Sequence, residues 1–213
     1  MPIQARLPLL AAISFVAVIA LGVGYFLGYT TQRSGLPEVS SVVWPPLLPL
    51  SPFTLTDSNG ATFDETRLAN KWTLLFFGFT HCPDICPTTL ATLKQVREAL
   101  LPVDEFAEIG QVVFVSVDGE RDTPERLREY TDYFDPNFVA ASGPSEKLNL
   151  LTRQFGMQVV RVSTDDPADY WFDHPASVLL VRPDTRVAGE FLPPFDVSEM
   201  VVQTRAIIEY GVP

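Results

Sequence analysis

Cysteine, histidine and basic residues are all scarce in this sequence, and each scarcity narrows what the chain can do. It has two cysteines, two histidines, and 15 Lys and Arg against 26 Asp and Glu, for a net charge of -11. A nucleic-acid partner is excluded, because binding one requires a basic face that neutralises phosphates. A structural zinc site normally takes four ligands, whereas we find only three strong Cys and His candidates. The sequence also has no internal repeat and no low-complexity tract.

Charge is absent from the N-terminal stretch Leu7–Leu27. Its length, about 21 residues, is what a helix needs to cross a bilayer. The following residues offer no A-x-A-like cleavage site, and no nearby cysteine could carry a lipid. The sequence therefore predicts an uncleaved transmembrane anchor over residues 7–27.

The charges that flank this stretch predict its orientation. The amino terminus and Arg6 precede it, while Arg33 and Glu38 follow it, a bias that favours residues 1–6 in the cytoplasm. We expect a single-pass protein of the bacterial inner membrane whose domain faces the periplasm. Proline-containing residues 28–50 are predicted to form a linker, and residues 51–213 the domain.

The rest of the sequence alternates strand and helix patterns. An N-terminal hairpin is predicted at Phe53–Phe63, around the turn Asn59-Gly60. Further predicted strands are the apolar run at 73–79, Gln111–Asp118 and two strands of a hairpin within Ser177–Leu192. Predicted helices cover Pro87–Leu101, the stretch after the Thr123-Pro124 cap, Ser145–Gly156 with a glycine stop, and the end of the chain after Asp196. This order predicts an α/β fold, a central sheet flanked by helices.

Both cysteines lie at one bend, in the stretch "GFTHCPDICPTTL". A central strand that delivers Cys82 to a helix start exposes it at the sheet edge where α/β sites gather, and the helix amides favour its thiolate. Cys86 is one helical turn away, a spacing that suits two sulfurs on one metal and, with some unwinding, a disulfide. Two buried packing residues are the alternative, but Pro83 and charged Asp84 argue for exposure.

Copper(I) is the soft ion that thiolates select, and two thiolates with one imidazole would satisfy it. Of the two histidines, His81 adjoins Cys82, and we expect its side chain to point away. His174 precedes a predicted strand and could reach both sulfurs, with Asp173 as a partner of its ring. A redox pair remains an alternative, although its usual motif is C-x-x-C.

Three motifs in this order, "GFTHCPDICPTTL", "VDGERDTPERLREY" and "DHPASVLLVRPD", resemble the Sco/SenC family. These are membrane-anchored, thioredoxin-like copper proteins of cytochrome c oxidase assembly. The resemblance implies a thioredoxin-like fold and the copper ligands Cys82, Cys86 and His174, for Cu(I) and, with further weak ligation, Cu(II). It further implies a role in building the binuclear copper centre of the oxidase's second subunit, either by donating copper or by reducing the cysteines of that subunit.

The chain departs from the family pattern at two positions. Gly119 stands where the family usually has proline, which predicts a more flexible loop, and Asp118 or Asp122 matches the family's acid. Pro175 follows His174 and restricts its backbone. We also expect Pro175 to lie near the position of the cis-proline of thioredoxin-like folds.

Other classes of function stay open at this stage. A thiol–disulfide oxidoreductase would use Cys82 and Cys86 as a redox-active pair, with a periplasmic thiol reductase or another copper chaperone as partner. A copper or redox sensor needs the same site. A peroxiredoxin-type peroxidase fits poorly, because no proline precedes the cysteine in "FFGFTHC". Copper carriage rather than enzyme activity is the leading interpretation, and Trp171, near His174 in the sequence, is a candidate docking residue.

Overall fold

The computed structural model describes residues 17–25, 42–43, 50–102, 104–166 and 169–210. The chain divides into two units, Met1–Glu38 and Val39–Pro213. In the first unit, residues 17–25 are helical, and most of the predicted anchor, 7–27, lies outside the described residues. Within the described ranges, no helix has both the length and the apolar character of a bilayer span.

The second unit is built on a mixed sheet. Its strands, with those of a separate hairpin, are β1 (Val42–Val43), β2 (Thr54–Asp57), β3 (Thr62–Asp64), β4 (Trp72–Gly78), β5 (Gly110–Ser116), β6 (Val139–Ser142), β7 (Val160–Ser163), β8 (Tyr170–Asp173), β9 (Val178–Val181) and β10 (Val187–Phe191). The main sheet has the order β1-β10-β9-β4-β5-β6-β2-β3, and β7 pairs with β8 alone. Strands β4, β5 and β6 are parallel, and β9 is antiparallel to β4.

Helices connect these strands and cover the sheet. They are α1 (Ile85–Leu100), α2 (Asp104–Ile109), α3 (Pro124–Asp132), α4 (Ser145–Gln154) and α5 (Val197–Tyr210). Crossovers between parallel strands are almost always right-handed, which places α1 and α3 on one face of the sheet. An ion pair between Arg97 of α1 and Asp135, just after α3, joins them at 3.0 Å. All residues of β4 and β9 are buried, so the core lies on both faces of the central strands.

Most of the predicted elements are confirmed. The N-terminal hairpin forms β2 and β3, and Thr123 caps α3 by accepting a hydrogen bond from the Arg126 amide. Gly156 follows α4 with φ +68°, the left-handed conformation that glycine adopts at a helix stop. The sequence missed α2, β6, β7 and β8. Within the predicted linker, Val42 and Val43 form β1, which pairs with β10.

Candidate metal centre

The two cysteines lie where β4 passes into α1. The helix begins at Ile85, so Cys82 precedes it and only Cys86 is helical. The predicted spacing of one helical turn therefore does not apply to the pair, because Pro83 and Asp84 form a bend before the first helical residue. The Cys82 sulfur instead folds back over the helix start, where the Cys86 amide donates a hydrogen bond to it at 3.4 Å. Both residues are free thiols, Cys82 half-buried and Cys86 fully buried.

The two thiols have opposite acidity. The Cys86 side chain donates a hydrogen bond that lowers the pKa of Cys82 to about 5, and the Asp84 and Cys86 amides and nearby His174 also favour this thiolate. Donating that hydrogen bond, together with burial, raises the pKa of Cys86. The pair thus holds one proton at neutral pH, with the negative charge on the more exposed sulfur.

Glycine at the end of β4 gives the Cys86 sulfur its room. A Cβ atom on Gly78 would lie 2.9 Å from Cys86 Sγ and 2.8 Å from the Phe114 ring. Real Cβ atoms essentially never come that close, so a side chain here would displace the sulfur. The strand therefore ends in the one residue that lets the buried thiol pack against its backbone.

His174 follows β8 and lies over the strand–helix loop. Its ring meets the buried Phe79 ring edge-on, with centroids 6.0 Å apart. The Nδ1 atom lies 2.9 Å from the Pro175 carbonyl oxygen, and because a carbonyl only accepts, Nδ1 carries the proton. Nε2 is then the nitrogen with a lone pair for a metal. Pro175, rather than exposed Asp173, orients the imidazole.

The peptide bond between His174 and Pro175 is trans. Among the described residues, the cis bond is that between Pro193 and Pro194. The expectation that Pro175 is the cis-proline of this fold was wrong.

Asp122 organises the loop that leads to Cys82. This buried carboxylate accepts hydrogen bonds from the Thr80 amide at 2.8 Å, from the Thr80 hydroxyl at 2.6 Å and from the Ser116 hydroxyl. Thr80 lies two residues before Cys82, and Ser116 ends β5. Asp122 therefore ties the ends of two neighbouring parallel strands together beneath the thiols.

Asp118 serves the other side of the same edge. Its carboxylate accepts hydrogen bonds from the Arg121 guanidinium and from the Tyr170 hydroxyl, the latter at 3.0 Å. Burial, and after it the hydrogen bond to Asp118, raises the pKa of Tyr170. The phenol therefore stays protonated and can donate. Both candidate acids, Asp118 and Asp122, thus support the site through neighbours rather than through the sulfurs directly.

Gly119 packs against a second loop instead of loosening its own. A Cβ there would lie 1.8 Å from the carbonyl oxygen of Gly143, far inside contact distance. A proline at this position would collide with that backbone. The glycine is thus a requirement of close packing between the β5–α3 and β6–α4 loops.

One group of three potential ligand residues converges within the described parts of the chain. Ligand atoms of His81, Asp118 and Asp122 lie within 4.8 Å of one another. The carboxylates of this group already accept the hydrogen bonds given above, and His81 Nδ1 lies 3.6 Å from Asp122. These contacts describe a polar network rather than an ion site. Cys82, Cys86 and His174 do not form so tight a group, so a shared ion requires the imidazole or a sulfur to move.

Comparison with known protein families shows to which family the chain belongs. The family model described as SCO1/SenC matches residues 48–209, nearly all of the second unit. The chain belongs to the SCO1/SenC family. The resemblance carried by the three motifs is confirmed, and the fold is the family's thioredoxin-like, mixed α/β fold.

Three similar proteins each cover at least 70% of the chain. A SCO2-like protein of Rickettsia prowazekii is 35% identical over 151 residues, 70% of this chain and 72% of its own. Arabidopsis thaliana ScoI, solved with copper bound, is 31% identical with a TM-score of 0.68, covering 75% of this chain and 98% of its own. Bradyrhizobium japonicum ScoI, also solved with copper bound, is 34% identical with a TM-score of 0.66, covering 74% and 98%.

Sequence reasoning missed several residues of this SCO1/SenC site. Thr80, Ser116 and Tyr170 were not candidates. Ser116 and Asp118 did carry a signal, because polar residues at or just after the end of a buried parallel strand collect at the functional edge of a sheet. Tyr170 carried none, since it lies in an aromatic stretch typical of a core.

Proposed function

We propose that this chain carries copper for the assembly of the binuclear copper centre of cytochrome c oxidase. Cys82, Cys86 and Nε2 of His174 would hold Cu(I). The observation that carries the proposal is the placement of a thiolate, a neighbouring thiol and an imidazole oriented by Pro175 at one edge of the sheet. Two sulfurs and one nitrogen form a soft donor set that suits Cu(I). Copper bound to the solved Arabidopsis and Bradyrhizobium relatives supports the proposal.

Cys82, Cys86 and His174 would have different roles in binding the copper ion. Cys82 is ionised and half-exposed, so it would receive copper first, and Cys86 would then lose its proton as the second sulfur binds. His174 would close the site from the β8 end. The proposed client is the copper-centre subunit of the oxidase, a partner implied by family membership. Cu(II) would need further weak ligands.

Anaerobic titration of the reduced chain with Cu(I), against a chromophoric chelator, tests this proposal. We expect one equivalent to bind tightly, His174→Ala to weaken binding, and Cys82→Ser/Cys86→Ser to abolish it. His81→Ala is the matched histidine variant and should lose less affinity than His174→Ala. Binding by the wild type no tighter than by the cysteine-free variant would refute the copper carrier.

A second candidate function, thiol–disulfide exchange, is favoured by the acidity of Cys82. Its thiolate would attack a client disulfide, forming a mixed disulfide and releasing one client thiolate. Cys86, after losing its proton, would attack the Cys82 sulfur and release the second. The client gains two electrons and the chain is left with a Cys82–Cys86 disulfide, which a periplasmic thiol reductase would reduce again. This activity would survive His174→Ala, whereas tight copper binding would not.

We further propose that residues 7–27 anchor the chain in the bacterial inner membrane with the domain in the periplasm. The uncharged length of the stretch and the charges on either side support this placement.

A further inference from the structure

The hairpin of β7 and β8 carries His174 but stands apart from the main sheet. Its strands pair only with each other among the described residues, and His174 follows β8 directly. An isolated two-stranded hairpin is marginally stable in water. Side-chain contacts must therefore fix the hairpin, and with it the approach of His174 to the sulfurs.

Tyr170, the first residue of β8, contacts two guanidinium groups. The guanidinium carbon of Arg121 lies 3.6 Å from the centre of its ring, and that of Arg161 lies 3.7 Å from the same point. Two groups this close to one ring centre cannot share a face, so the ring lies between two cations. The side chain is 7% exposed, and cation–π contacts gain strength when they are removed from water.

Both cations are held in place by acids of one loop. Arg121 donates to Asp118, which also accepts the Tyr170 hydroxyl. Arg161 donates to both carboxylate oxygens of Glu120, each at 3.0 Å. We call Tyr170, Arg121, Arg161 and Asp118 the Tyr170 clamp. It joins the hairpin to the β5–α3 loop.

The same loop is joined to the cysteine bend. The Asp118 amide donates to the Ser116 hydroxyl at 3.0 Å, and Ser116 donates to Asp122, which also binds Thr80. A second route is aromatic, since Phe172 of β8 meets Phe79 edge-on at 5.7 Å. The clamp therefore has connections to both sides of the candidate metal centre, the His174 side and the Cys82 side.

We infer that Tyr170 is a positioning residue: clamped between Arg121 and Arg161 and bonded to Asp118, it sets the position from which His174 reaches the two sulfurs. This inference rests on the proposed function. The ligand atoms of Cys82, Cys86 and His174 do not converge within 4.8 Å, so the imidazole has a distance to close. A fixed hairpin base limits the directions in which that movement can occur.

A double-mutant cycle on the full chain in detergent tests the inference. Cu(I) affinity is measured by chelator competition for the wild type, Tyr170→Phe, His174→Ala and the double variant. Tyr170→Phe keeps the ring but removes its hydrogen bond to Asp118. We expect a loss of about 10-fold in Cu(I) affinity, in the range for residues that orient metal ligands. In the His174→Ala background, Tyr170→Phe should not lower the Cu(I) affinity further, because the imidazole that Tyr170 positions is absent.

Tyr133→Phe is the matched control, since it removes a hydroxyl from a tyrosine that is 84% exposed. A metal-free readout accompanies the cycle: ring resonances of the two histidines, assigned with His81→Ala. Those of His174 should shift or broaden in Tyr170→Phe and stay unchanged in Tyr133→Phe. If Tyr170→Phe fails to fold, Arg161→Gln opens one face of the clamp and enters the same cycle.

The outcomes separate the inference from the proposed function. An equal loss in both backgrounds, or no loss in the wild type with unmoved His174 resonances, overturns the positioning role. Full affinity in His174→Ala overturns the ligand set itself. The histidine resonances then still decide whether Tyr170 positions the ring.

Discussion

At the scale of single residues, the feature with the clearest consequence is the unequal acidity of Cys82 and Cys86. Folding favours the Cys82 thiolate, because the pKa falls from an ordinary 9.0 to about 5. The stability that this group adds is thus complete above pH 9.0 and is lost as the pH falls through about 5. The charge on Cys82 is therefore part of the folded state and not only of its chemistry.

We predict selective alkylation of Cys82 in the reduced, metal-free chain. Its rate of reaction with iodoacetamide should rise with a midpoint near pH 5 and then level off, since the thiolate is the reacting form. Cys86 should stay unmodified at neutral pH, because it is buried and its pKa is raised. Mass spectrometry of each cysteine peptide across the acidic to mildly basic range measures both rates.

Unfolded chain in denaturant supplies the control for that experiment, where both cysteines should titrate as ordinary thiols. A midpoint for folded Cys82 close to that of the unfolded chain would contradict the described hydrogen bond from Cys86. Equal labelling of both cysteines at neutral pH would contradict their unequal burial.

The residues that bear reactive groups are the ones that the sequence selects as candidates. Cys82, Cys86 and His174 are predicted ligands because such residues are scarce and fall in motifs that resemble the family. The Tyr170 clamp could not be predicted, since its members are ordinary residues distant in the chain whose roles depend on tertiary contact. Asp173 shows the opposite error, because closeness in sequence to His174 did not give it the ring as a partner.

At the scale of elements, the junction of β4, β5 and α1 depends on one buried carboxylate. Asp122 accepts three hydrogen bonds, two from Thr80 and one from Ser116. We predict that Asp122→Ala lowers the free energy of unfolding by about 3 kcal/mol, since each buried donor left without an acceptor costs about 1–3 kcal/mol. Urea denaturation of the metal-free chain measures the loss.

Asp173→Ala is the comparison variant, because Asp173 is an exposed acid beside His174 and should change stability by no more than about 0.5 kcal/mol. Asp122→Asn keeps one acceptor oxygen and should fall between the two. Similar stabilities for Asp122→Ala and Asp173→Ala would show that the network does not hold the junction.

Elements with a strong pattern of their own were predicted, and those without one were missed. β4 and β5 are continuous buried apolar runs, and α3 begins with a cap and a proline. The strands of the β7–β8 hairpin are four residues each and mostly exposed, so no buried face marks them in the sequence. Their position depends on Tyr170 and Phe172, which are contacts that only the folded chain provides.

At the scale of the whole molecule, the proposed anchor at residues 7–27 would determine where the proposed copper carrier works. An excess of acidic residues gives a net charge of -11, which suits neither nucleic acid nor the anionic surface of a membrane. The proposed attachment to a membrane would then come from the apolar stretch 7–27 and not from the charge of the domain.

We predict that the full chain stays in the membrane fraction after extraction with alkaline carbonate, which strips proteins held only at the surface. The reason is the uncharged length of residues 7–27, sufficient to span the hydrocarbon core. A chain that begins at Val39, the start of the second unit, should be released.

In spheroplasts, protease added outside should degrade the full chain's domain, as the charge bias around residues 7–27 predicts. Carbonate release of the full chain would refute the anchor, whereas a protected domain in a carbonate-resistant chain would refute only its orientation.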